Sequence, residues 1–128
     1  MKETTKISKK FLSAQKSSIS DKSLLLQLTG EMPLFRIIDF LVENKGMDFD
    51  KTEIAKGAEI SRASLFNYWD ELEKRGIVKV TRQYGKTRLY TFNIKSMIAK
   101  KILELERALI ADALEKEHKK KNELLVSA

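Results

Sequence analysis

A mainly α-helical chain with one small β-hairpin and a long closing helix is what this 128-residue sequence predicts. Three observations carry that expectation. Apolar residues recur at helical spacing in the segments between Pro33 and Arg75. Two β-branched and aromatic runs of period two, residues 77–83 and 87–93, then flank the turn Tyr84-Gly85-Lys86. Beyond them a broad apolar stripe repeats from Ile94 to about Lys121.

In chain order, residues 1–22 are rich in Ser, Thr and Lys and read as a basic, mostly disordered arm. The apolar run Leu24-Leu25-Leu26-Gln27-Leu28 is a short lead-in strand or helix. Pro33 suits the first position of a helix, and Leu34, Ile37, Ile38, Leu41 and Val42 carry it over residues 33–45, with Gly46 as its stop. A polar loop through Met47-Asp48-Phe49-Asp50 leads to a second, short helix capped by Asp50 or Thr52, with Glu53 placed to favour its positive end. That capped loop explains the cluster Asp48, Asp50 and Glu53 better than a cation site does. The third helix opens on Ser61 and runs to Arg75 before Gly76, with Leu65, Trp69 and Leu72 facing inward and Tyr68 at the edge. The final helix presents Ile98, Ile102, Leu105, Leu109 and Leu114 as a dimer seam, and residues 122–128 form a frayed tail. The organisation expected is therefore an arm over 1–22, a helix-and-hairpin domain over 23–94, a dimerisation helix over 95–121 and the tail.

Composition narrows the chemistry. The chain has no cysteine, which removes zinc fingers, iron–sulfur clusters and thiol catalysis. No nucleophile has a base beside it and no glycine-rich phosphate loop is present, so catalysis has no support and neither a cofactor nor a metal is expected. His118, among Lys116, Lys119, Lys120 and Lys121, reads as a solvated helix end. No apolar run reaches the length of a membrane span, and a soluble, cytoplasmic, nucleoid-associated protein is the expectation. The net charge of +7 points to a polyanionic partner, nucleic acid first. Its placement says more. Residues 1–30 carry +4 and residues 77–94 another +4, with no acid in the latter, whereas residues 31–76 carry −3.

The second and third helices, joined through Ala58-Glu59-Ile60, form a helix-turn-helix, with Ile60 plugging the turn. The outward side of the third helix supplies the candidate base contacts. Arg62 suits a fork onto guanine and Asn67 a bidentate pair with adenine. Ala63 permits close approach, Ser64 sits beside them, and Phe66 either closes the core edge or reaches toward a thymine methyl. Asp70 and Glu71 limit how deeply the rest of the helix can sit. Candidate backbone contacts are Lys51 and Thr52 at the start of the second helix, with Ser61, Tyr68 and Lys74. The hairpin adds Arg82, Tyr84, Lys86 and Arg88 as a basic wing.

The run from Ile60 to Val78, with a serine opening the helix, an aliphatic four residues on, a leucine seven beyond it and then Gly76-Ile77-Val78, resembles the recognition-helix stretch of MarR-like and ArsR-like winged helix regulators. The continuation from Gly85 to Asn93 is similar to their wing, particularly in small archaeal members. The resemblance covers roughly Leu24 to Leu114 and implies a homodimeric transcriptional regulator, more often a repressor, that binds a roughly palindromic operator in double-stranded DNA. The ArsR metal ligands are missing, since cysteine is absent and His118 is the only histidine. The linkers that form an effector pocket in typical MarR proteins are short here, which weighs against a small-molecule effector. Two rival readings remain: an architectural or partition protein that coats DNA, and a winged helix serving as a protein–protein adaptor.

Overall fold

The computed structural model describes residues 22–127 of the chain, leaving most of the N-terminal arm outside the described residues. The order is α1 (Leu24–Thr29), α2 (Pro33–Glu43), α3 (Lys51–Ala58), α4 (Arg62–Lys74), β1 (Val78–Tyr84), β2 (Thr87–Phe92) and α5 (Met97–Ser127). This is a winged helix-turn-helix with a long C-terminal helix.

The lead-in run is helical: Ser23 caps α1 through its hydroxyl, which accepts from the Leu26 amide. The same hydroxyl donates to Asp39, a carboxylate buried on α2. Burial pushes the Asp39 carboxyl above its ordinary range; the Ser23 bond opposes that and the charge of Glu106 on α5 adds to it. Helix α2 ends at Glu43, before the residue expected, because Asn44 turns its side-chain amide back onto the Phe40 carbonyl at 2.8 Å. Asp50, not Thr52, caps α3, in a reciprocal box with Glu53 at 2.8 and 3.0 Å. Between α3 and α4 the chain passes through Glu59 at φ +59°, a left-handed residue without glycine, steadied by Arg36 3.6 Å from its carboxylate.

The loop before α3 is less polar than it reads. Phe49 is 1% exposed and pairs with Tyr90 in a two-way backbone bridge: its N–H donates to the Tyr90 carbonyl at 2.9 Å and its carbonyl accepts from the Tyr90 N–H at 2.7 Å, which ties the loop to the hairpin. Alternation over a four-residue loop gave no hint of this, since the pairing partner lies 41 positions away. The wing itself is antiparallel, with Val78 opposite Phe92 and Tyr84 opposite Thr87, and a bulge between Val80 and Arg82. Gly85 at φ +58° opens its two-residue turn, a conformation few other residues adopt there.

One core joins these parts. Ile37, Leu41 and Val42 from α2, Ile54 from α3, Leu65, Trp69 and Leu72 from α4, and Tyr90 and Phe92 from β2 are all buried together. Ile60 packs at the edge of this cluster from the helix-turn-helix turn. Helix α5 contributes Ala99 and Leu103 to the core and packs against α1. It starts at Met97 on a Ser96 cap, whose hydroxyl accepts from the Ala99 amide, and not at Ile94. It also continues through residues 122–127, where a frayed tail was expected; no glycine or proline follows Gly85, so nothing in the backbone stops it.

Candidate nucleic-acid interface

Helix α4 is positioned by its inner stripe. With Leu65 and Leu72 fully buried and Trp69 at 2% exposure, the helix cannot roll, and its other side is committed to solvent. Arg62, Ala63, Phe66 and Asn67 are exposed on that side, Ser64 is half-buried, and Tyr68 is half-buried at the edge. Ser61 accepts the Ser64 amide at 3.0 Å, and the two hydroxyls bond each other at 3.1 Å. The Phe66 question resolves outward: the residue is 49% exposed. It is not bare, however, because the Arg62 guanidinium lies 5.6 Å from its centroid and the Lys51 ammonium 5.4 Å. Cations on an aromatic face gain from the ring quadrupole, so both side chains are held before any ligand arrives.

The rear of α4 carries Asp70, Glu71, Glu73, Lys74 and Arg75, all exposed. Arg75 is taken by Glu71 at 2.8 Å, one turn away. Cation density therefore falls toward the C-terminal end of the helix, leaving Lys74 against three acids.

The hairpin divides its basic residues between two tasks. Arg82 is clamped: Nε and a terminal nitrogen bond the two oxygens of Asp48 at 2.9 and 3.0 Å, and the other terminal nitrogen bonds the Tyr84 hydroxyl at 2.9 Å. Hydrogen bonding to Asp48, and then its charge, raises the Arg82 pKa further above its ordinary value. Thr81 donates to the same carboxylate at 2.6 Å. Asp48 thus ties the loop before α3 to the wing, which the sequence did not disclose. Lys79, Lys86 and Arg88 are exposed and form no ion pair among the described residues. Tyr84 stays 60% exposed beside them.

Thr52 is half-buried in the first turn of α3, next to Lys51. On α5, Ile98 and Leu105 are each 39% exposed, while Ile102 and Leu109 pack partly on the core of their own chain. Leu114 is also exposed, but sixteen residues of helix place it about 160° around from Ile98, on the side of Ile110. Ile98, Ile102, Leu105 and Leu109 therefore share one side of the helix, and Leu114 lies on another. Among the described residues, no helix is long and apolar enough to cross a membrane.

No protein-family model matches the chain, and no curated protein matches it in sequence. Among solved structures, NadR in complex with 4-hydroxyphenylacetate aligns with a TM-score of 0.54 at 23% identity, over 88% of this chain and 89% of that one. A mutant of ZitR from Lactococcus lactis, in its apo form, aligns with a TM-score of 0.51 at 15% identity, over 99% and 92%. A MarR family transcriptional regulator from Silicibacter pomeroyi aligns with a TM-score of 0.48 at 19% identity, over 88% and 77%. What these likenesses share with the present chain is the winged helix-turn-helix fold.

Proposed function

We propose that the chain is a sequence-specific, double-stranded DNA-binding regulator of transcription, not an enzyme, that acts as a cytoplasmic, nucleoid-associated homodimer. Residues 23–94 form the DNA-binding domain and α5 supplies the dimer contact. Repression by occluding a promoter is the favoured output. The observation that carries this reading is the pair of exposed surfaces, on α4 and on the hairpin, that one core holds together. The N-terminal half of α4 offers Arg62 and Asn67, and the hairpin offers Lys79, Lys86 and Arg88 with no acid between residues 77 and 94. A helix that offers forked donors suits base edges in a major groove, while unpaired cations on a narrow ribbon suit phosphates. Asp70, Glu71 and Glu73 restrict that contact to the first turns of α4.

Selection of bound duplexes from a random pool, with stoichiometry measured on the winner, tests this directly. Two half-sites about one helical turn apart are expected, bound by two chains. Asn67→Ala should relax preference at one base position in each half-site while leaving the others intact. Cooperative spreading over DNA without an enriched motif would favour an architectural protein instead. Absence of any salt-dependent DNA binding would leave only a protein-binding adaptor.

A further inference from the structure

Lys51 occupies the first position of α3, where a cation is disfavoured because the free amides already present positive partial charge. Its surroundings offset that cost. The ammonium lies 5.3 Å from the Trp69 ring centroid, 5.4 Å from that of Phe66 and 5.7 Å from that of Tyr90. Three rings from two elements, α4 and β2, thus form one seat for one cation. Two of them are immobile: Trp69 and Tyr90 are 2% and 4% exposed and lock edge to face at 4.8 Å and 76°. Trp69 Nε1 has no hydrogen-bond partner among the described residues, so what this tryptophan offers its neighbours is the ring. The third, Phe66, is half open and has the Arg62 guanidinium 5.6 Å from its centroid as well.

We infer that Phe66, Trp69 and Tyr90 are positioning residues that hold the Lys51 ammonium ready as a phosphate-gripping cation beside the recognition helix. This rests on the DNA-binding reading above. A lysine stem is flexible, and ordering it on binding costs affinity. Here the ordering is done in the free protein by rings already fixed in the core. The seat also joins three parts of the interface, since the start of α3, the outward side of α4 and the base of the wing all meet at this cation. Trp69 is the only tryptophan of the chain, so its fluorescence reports on the seat without interference.

The test is equilibrium binding to duplex DNA over a salt series, followed by anisotropy and by tryptophan emission, on the full chain and three variants whose folding is checked by thermal melting. Lys51→Met keeps the stem and removes the charge; the slope of log affinity against log salt should fall by about 0.9, one phosphate contact. Lys51→Arg should restore it. Phe66→Leu should keep the wild-type slope but weaken binding by about two- to fivefold, the equivalent of one exposed cation–π contact, equally on selected and random duplexes. DNA should shift the tryptophan emission of the wild type and leave that of Lys51→Met unchanged. An unchanged slope in Lys51→Met overturns the inference, as does a Phe66→Leu loss confined to one base position, which would make Phe66 a direct base contact. Failure of the wild type to bind DNA in a salt-dependent way would instead remove the reading on which the inference stands.

Discussion

Arg82 and Arg88 look equivalent in sequence, two arginines on one basic hairpin, yet their surroundings give them different work. Arg82 spends its planar fork on Asp48 and Tyr84, whereas Arg88 pairs with no acid among the described residues and stands in solvent. A bidentate guanidinium–carboxylate pair fixes geometry as well as charge. Arg82 therefore shapes the wing, and on the DNA-binding reading it falls to Lys86 and Arg88 to supply its grip. On the DNA-binding reading, Lys86→Ala with Arg88→Ala should lower the salt slope by about 1.8, one phosphate contact each. Arg82→Ala should instead leave the slope nearly unchanged while the hairpin loses protection in amide hydrogen exchange. A full unit of slope lost on Arg82→Ala would place that side chain on DNA. Phe66 makes the same point from the opposite direction: its type suits the core edge and solvent equally, and only its exposure, with two cations 5.4 and 5.6 Å from the ring centroid, decides between them.

At the scale of the element, packing overrides propensity in α3. Gly57 sits inside this helix, where alanine would ordinarily gain about 0.5–1 kcal/mol. A Cβ there would, however, fall well inside contact distance of the Phe40 ring, which itself packs on Phe49 at 4.9 Å. Gly57→Ala should accordingly destabilise the fold by about 1–3 kcal/mol, the usual range for overpacking. Thermal melts would show this as a lower midpoint, with Phe40→Leu in the same chain recovering part of it. A raised midpoint for Gly57→Ala alone would mean that the α2–α3 contact is looser than described. The other helices follow their sequence signals closely. Serine or aspartate caps open α1, α3, α4 and α5, and Pro33 opens α2, because capping and φ restriction act within a few residues.

At the scale of the whole molecule, α5 is the element that reaches farthest beyond the core of its own chain. Thirty-one residues span about 46 Å; Ala99 and Leu103 join the core, and contact with it is seen no farther than Leu109. Ile98 and Leu105 remain part-exposed on a side adjacent to the half-buried Ile102 and Leu109. On the homodimer reading, Ile98→Asp with Leu105→Asp should convert a two-chain species to one chain in light scattering, and Leu114→Asp should do so far less. Equal effects from both would relocate the contact toward the end of the helix.

Periodicity, caps and glycine stops sufficed to determine the order of elements from α2 onward, the inward stripe of α4 and the acid-free hairpin, because each is a property of neighbours along the chain; whether the lead-in run is strand or helix was left to the structure. Boundaries moved by a few residues, and α5 ran on where no breaker interrupts it. The sequence also supplied every exposed candidate on α4, since the outward side of a helix follows once its buried side is known. Only the tertiary structure paired Phe49 with Tyr90, tied Arg82 to Asp48 and seated Lys51 on three rings. Those contacts join residues 15 to 41 positions apart, and nothing in local composition states which distant groups the closing of a core will bring face to face.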